Sequence, residues 1–278
     1  SLRRRQRQMC IRDRSTIRRI FIRRITKAKG LKNVENFVDG VVMPTPLACL
    51  KAAKLLATGT KKEPGIGELI AIDVGGATTD VYSIADGLPS ESGVVYKGLP
   101  EPYAKRTVEG DLGLRSSAFS LIESAGEEEI IKKSELSNAC IDLKKMIMQL
   151  NMKKIPETEE ELSLDMGMAR VCVEKAIERH AGKLEVCFSP FGEVYIQHGK
   201  DLTKVKRIIG TAGGIIHNKN PKKVLEEAVF NKKNPLILKP KKPNFYLDCN
   251  YIFYAVGLLS EIEPEKALRI MLNNLKRL

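Results

Sequence analysis

A chain of 278 residues with 43% hydrophobic content is long enough for one large core or two small ones. No stretch approaches the eighteen consecutive apolar residues of a membrane-spanning helix, and the basic N-terminus lacks the apolar run of a signal peptide, so a cytoplasmic protein is expected. The net charge of +13 does not signal a nucleic-acid partner: residues 1–32 hold 13 of the 47 Lys and Arg but only one of the 34 acids, Asp13, and the remainder is nearly neutral.

The codons of a transposase-tagging sequencing adapter, CGT CGG CAG CGT CAG ATG TGT ATA AGA GAC, encode the residues from Arg4 to Asp13 in order. Residues 1–14 are therefore set apart as an adapter artefact expected to be disordered. Ile17, Ile20, Phe21 and Ile25 then recur at helical spacing with arginines between them, an amphipathic helix entered partway along. The reading frame is expected to begin inside a longer gene, with residues 15–62 the remnant of an upstream subdomain. A short segment starts at Asn33–Phe37, and Met43-Pro44-Thr45-Pro46 blocks helix until Leu47–Leu56, where Thr45 is placed to cap and Pro46 sits in the first turn. Thr58–Gly67 reads as a loop.

Glu68–Val74 is an apolar run with the pattern of a buried strand, and Val81–Ile84 reads as its antiparallel partner across a glycine turn. Gly93–Tyr96 offers a third strand. Helical patterns follow over Leu112–Ser124, Glu127–Lys133, Ser137–Met148 and Leu164–His180. Strand patterns return at Leu184–Phe188, Glu193–Gln197 and Val205–Ile209. Helices are expected at Lys222–Asn231, Tyr251–Ser260 and Pro264–Leu275, with Lys239–Pro243 a Pro/Lys linker.

Three clusters carry possible chemistry. In Asp73-Val74-Gly75-Gly76-Ala77-Thr78-Thr79-Asp80, glycines let backbone N–H groups approach a phosphate, Thr78 and Thr79 offer hydroxyls, and Asp73 at the strand end is placed to hold Mg²⁺ through water. An ordinary β-hairpin has the same appearance. Gly210-Thr211-Ala212-Gly213-Gly214 also follows an apolar strand, where a nucleotide can lie against the backbone, although glycine-rich strand-to-helix turns are common. Within Lys105–Arg115, Glu109 and Asp111 suit a metal shell or water-positioning pair, and Arg106 or Arg115 suits phosphate; simple capping by Asp111 and solvated arginines explain the segment equally.

Other features read as structural. Cys10, Cys49, Cys140, Cys172, Cys187 and Cys249 form no CxxC pair, which points to core residues in a reducing compartment. Met146, Met148, Met166 and Met168 read as core fillers, and Glu157–Glu161 as a solvated loop or helix start. His180, His198 and His217 lack catalytic partners close in sequence.

Taken in order, Val41–Pro46, Asp73–Asp80, Gly98–Pro102 with Arg106–Gly113, and Ile209–Gly214 resemble the MutL/GlmL family of glutamate mutase accessory proteins over roughly Thr16 to the C-terminus. That family is distinct from the DNA mismatch-repair MutL, whose ATPase motifs are absent from the sequence. The resemblance implies an α/β fold, one actin-like (ribonuclease H-like) ATPase half over residues 63–278, with a mixed central sheet, flanking helices and a helical insertion near 114–180. It implies ATP and Mg²⁺ as cofactors, Asp73–Asp80 as the second phosphate loop and Gly210–Gly214 as the adenosine-side loop. The nucleotide-binding residues would be Gly75, Gly76, Thr78, Thr79, Gly210, Thr211, Gly213 and Gly214, with catalytic work for Asp73, Glu109 and Asp111. The implied function is an ATP-driven reactivating factor for an adenosylcobalamin-dependent mutase, whose subunits are the expected partners; neither nucleic acid nor membrane is expected. The family's first phosphate loop, of Asp-x-Gly-Ser/Thr type, does not precede residue 73, so this chain alone is expected to hydrolyse little ATP. A non-hydrolysing mutase-docking module and a small-molecule kinase of the same fold are the alternatives.

Overall fold

The structure is a computed structural model, and it describes residues 43–136, 142–153, 155–190 and 192–278. The adapter segment, the helix around Ile17–Ile25, the segment Asn33–Phe37, Val41, Val42 and the start of the helix expected at Ser137 lie outside the described residues.

A central six-stranded sheet has the order β4-β2-β1-β7-β8-β9. Its middle is β1 (Leu69–Val74), which pairs antiparallel with β2 (Thr79–Ile84) and parallel with β7 (Arg207–Thr211). β7 runs parallel to β8 (Asn244–Asp248), while β4 (Ala104–Glu109) and β9 (Leu275–Arg277) close the two edges antiparallel to their neighbours. The expected mixed sheet with flanking helices is therefore present. A separate three-stranded sheet joins β3 (Val94–Tyr96), β6 (Gly192–His198) and β5 (Lys183–Ser189).

Successive side chains of a strand point to opposite faces, and β1 is apolar on both because both are covered. Ile70, Ile72 and Val74 face a layer built by α2 (Ala118–Ala125), α3 (Glu127–Ser134), α4 (Leu143–Lys153) and α5 (Glu159–His180). Leu69 and Ala71 face the opposite layer of α1 (Thr45–Thr58), α8 (Phe253–Leu259) and α9 (Pro264–Asn274). Each fully buried Leu or Ile in these layers contributes roughly 1.5–3 kcal/mol relative to exposure. In the second layer α1 and α8 cross closely because Gly257 has no side chain; a Cβ there would run into the Ala48 carbonyl.

Helix α5 starts earlier than its apolar pattern, because Thr158 and Glu161 form a reciprocal capping box. The acidic run at Glu157–Glu161 is thus a helix start, with Glu161 buried at its head. Thr45 does not cap α1; it lies inside the helix and Pro44 takes the capping position. The helix expected from Leu112 begins only at Ala118, since Gly113–Arg115 is drawn against the β1–β2 turn. Met166 and Met168 are buried as expected, but Met148 is 57% exposed on α4. Lys239, expected in a solvated linker, is buried, with its Nζ 3.4 Å from the Glu227 carbonyl and 3.7 Å from Glu178.

Candidate functional site

The parallel pairing of β1 with β7 places the two glycine segments side by side at the carboxyl end of the sheet, where open α/β sheets bind ligands. The first is the turn between β1 and β2, closed by the Gly75 N–H donating to the Thr78 carbonyl at 2.9 Å. Gly76 and Ala77 are exposed at its tip, and no acceptor takes their N–H groups among the described residues. The second turn, Ala212–Gly214, leads from β7 into α6 (Gly213–Ile216). They touch: a Cβ on Gly214 would lie 2.6 Å from the Val74 carbonyl oxygen.

The first turn is braced from below. Leu114 N–H donates to the Gly75 carbonyl at 3.1 Å and Arg115 N–H to the Gly76 carbonyl at 2.7 Å, while the Ser117 hydroxyl donates to the Ala77 carbonyl at 2.7 Å. Gly113 passes so close that a Cβ would meet the Ala77 backbone at 2.5 Å. The Arg115 guanidinium then reaches Asp165 of α5 at 2.5 Å.

On the α1/α8 face of the sheet, strand register sets a row of polar side chains across four strands. Asp73 lies between its partners Asp80 on β2 and Thr211 on β7. The Thr211 hydroxyl donates to Asp248 of β8 at 2.9 Å. Asp80 is held by the Arg106 guanidinium at 2.7 Å and by the Thr78 hydroxyl at 3.2 Å. Asp248 is fully buried and accepts from the backbone N–H groups of Ile252 and Phe253 and from the Asn274 amide.

Among the described residues, no hydrogen bond or ion pair holds the Asp73 carboxylate. Burial, then Asp80 and Asp248, push its carboxyl up to about 7, with Arg106 acting in the opposite sense. Cys49 of α1 shares this face, and burial pushes its thiol up to about 12, so it is an inert neighbour rather than a nucleophile.

The remaining expected site residues divide. Thr79 is buried, and its hydroxyl donates to the Leu112 carbonyl at 2.8 Å, inside the fold. Glu109 and Asp111 are neither free nor caps: Arg179 at the end of α5 donates to Glu109 at 2.7 Å and to both Asp111 oxygens at 2.7 and 2.8 Å. Hydrogen bonding to Arg179 holds the Asp111 carboxyl below the usual range. Arg106 and Arg115, read as phosphate ligands or solvated side chains, are both paired with carboxylates. Gly210 is enclosed, a Cβ meeting Ile215 at 2.7 Å, whereas Gly213 is open. Among the described residues no three His, Cys, Asp or Glu side chains converge as metal ligands. A Mg²⁺ site here fits only the form in which one carboxylate, Asp73, and ligand phosphates share the ion with water.

Asp80 and Asp248 complete the row, and the sequence hid the second. Asp248 lies far along the chain from Asp73 and follows a Pro/Lys-rich stretch with no motif of its own; only the β7–β8 pairing reveals its place. His180 also acquires partners from distant strands, the Ser83 and Thr107 hydroxyls at 2.8 Å.

Among known proteins, the family described as MutL protein matches residues 9–275, beginning within the segment that reads as adapter codons. Protein MutL of Clostridium tetanomorphum is 50% identical over 260 residues, covering 93% of this chain. The chain spans 56% of that relative's length. No helix among the described residues is long and apolar enough to cross a membrane. Matched along nearly all of its length, the chain belongs to the MutL protein family.

Proposed function

We propose that this chain is the nucleotide-binding half of an actin-like ATPase, and that the full-length protein is an ATP-driven accessory factor for an adenosylcobalamin-dependent mutase. The observation that carries the reading is the contact of the two glycine turns beside Asp73 at the carboxyl end of the sheet. A triphosphate laid there meets the open N–H groups of Gly76 and Ala77, each charge-assisted contact contributing on the order of 1.5–3 kcal/mol. Thr78 and Arg106 fix Asp80, and Asp73 presents a carboxylate for water-mediated contact with Mg²⁺. When bound, Mg²⁺ neutralises charge developing on the phosphate oxygens. Gly213 leaves room for the nucleoside side, and closure of a second half over the site excludes water and turns nucleotide exchange into movement of the bound mutase.

Glu109 and Asp111 enter this proposal as groups positioned by Arg179 beside the braced turn. The small-molecule kinase reading needs one of them as a base. Two-pronged pairing with Arg179 keeps Asp111 ionised but weakly basic, which favours a water-positioning or structural role over proton abstraction.

The test is turnover by the full-length protein with and without mutase. Mg²⁺-dependent phosphate release that rises when inactivated mutase is added, with recovery of mutase activity, supports the proposal. Mutase binding without any nucleotide turnover would favour the docking module.

A further inference from the structure

We propose that Tyr251, packed against Tyr254, is the surface on which the base of a bound nucleotide stacks. The inference rests on the nucleotide reading above and extends it to a residue outside both glycine turns.

Three segments follow one another along the carboxyl end of the sheet. The β1–β2 turn comes first, the β7 turn second, and third the loop after β8 that carries Tyr251. Adjacent strands lie about 4.8 Å apart, so β8 is about 10 Å from β1, the reach of a nucleotide lying across the sheet end with its phosphates at Gly76. The turn at Gly213 lies on that path and has open space for it.

Tyr251 is held in place deliberately. Its φ of 53° is left-handed, a conformation that bulky residues rarely adopt and that the surroundings must enforce. The enforcing group is Asp248: its carbonyl accepts from Tyr251 N–H at 3.2 Å, and its carboxylate accepts from Ile252 and Phe253 N–H at 3.1 and 3.0 Å. The same carboxylate takes the Thr211 hydroxyl, so the polar row that contains Asp73 also fixes this loop. The Tyr251 and Tyr254 rings meet edge-on, with centroids 5.9 Å apart and planes at 60°, and remain 46% and 39% exposed. An aromatic pair that serves only the core would be covered. This one keeps ring surface open next to the acids, and the Tyr251 hydroxyl is close enough for burial and Asp73 to raise its pKa.

The base therefore has a π-surface at one end of the site and the phosphates have backbone donors at the other. Stacking of one base on an aromatic side chain is a term that inorganic triphosphate cannot share.

The experiment is calorimetric titration of the full-length protein with Mg·ATP and with Mg·tripolyphosphate, in the wild type and in Tyr251→Ala, Tyr251→Phe and Tyr251→Asn. Asparagine tolerates the left-handed backbone and lacks the ring, so it reports on stacking even if the alanine variant loosens the loop. Tyr251→Ala and Tyr251→Asn should weaken Mg·ATP by about tenfold or more and leave Mg·tripolyphosphate within about twofold, with Tyr251→Phe retaining both affinities. Unchanged Mg·ATP affinity in Tyr251→Asn, or parallel loss of both ligands, would overturn the stacking role alone. A wild type that binds neither ligand would overturn the nucleotide reading itself, and this inference with it.

Discussion

Gly214 sits against the end of β1 so closely that any side chain there would collide with Val74: its Cβ would stand 2.6 Å from the Val74 carbonyl and 2.6 Å from the Leu114 side chain. Two segments far apart in the chain are thereby locked into one surface. Gly214→Ala should destabilise the fold by about 2–4 kcal/mol through overpacking at a backbone contact. Gly213→Ala, whose nearest neighbour would be the His217 ring at 3.9 Å, should cost less than about 1 kcal/mol. Urea midpoints of the two variants check the contrast.

Ala212 opens the same turn with φ of 66° and ψ of 162°, a region that glycine adopts freely and alanine does not. Replacing it with glycine relieves that strain, and the entropy added to the unfolded chain offsets part of the gain. Ala212→Gly should stabilise the protein by about 1 kcal/mol, seen as a higher urea midpoint.

His180 adds a near-neutral element to the acid sensitivity of the fold. Burial, aided by Lys105 and Lys200, holds its imidazole neutral well below the ordinary value of 6.5, while Ser83 and Thr107 fix both ring nitrogens. The unfolded imidazole takes up a proton below 6.5 that the folded one refuses, so the stability present above that pH is lost as pH falls. Between pH 7 and pH 5 the His180 contribution should fall by about 2 kcal/mol, read as the difference between the wild-type and His180→Gln stability profiles, because protonation of Asp73 over the same range acts in the opposite sense in both proteins.

Asp73 carries the opposite trade. Its carboxylate is buried beside Asp80 and Asp248 without a dedicated cation, so Asp73→Asn should raise stability at pH 8 by about 1–3 kcal/mol while removing Mg²⁺-dependent nucleotide affinity. Thermal melts and titration with Mg·ATP, run on the same preparation, separate the two effects. Loss of stability together with loss of binding would mean that Asp73 works as a structural group.

The centre of the sheet was legible because burial on both faces leaves a continuous apolar run, as in Leu69–Val74, and because glycines mark the turns that follow. β4 was not legible: at the sheet edge Ala104–Glu109 carries Lys105, Arg106 and Glu109, and a strand with so many charges reads as a loop. β8 was missed because five residues after a proline-rich stretch hold too short a pattern. The carboxylate row depends on pairing between residues far apart, so spacing along the chain exposed Asp73 and Asp80 but not Asp248. The pairing of Glu109 and Asp111 with Arg179 was hidden for the same reason, since only the fold brings the end of α5 to that loop.

The central claim, that the β1–β2 turn grips phosphate through its backbone, is tested most directly at Gly76. A Cβ there would meet only the Arg115 side chain at ordinary contact distances of 3.5 and 3.6 Å, and the position is exposed, so Gly76→Val leaves the fold largely intact while filling the space a phosphate needs. The decisive measurement is calorimetric titration of Mg·ATP into the full-length protein and its Gly76→Val variant. The account predicts loss of binding by roughly a hundredfold or more, the equivalent of about two charge-assisted contacts, with an unchanged melting temperature. Equal Mg·ATP affinity in the two proteins would contradict it.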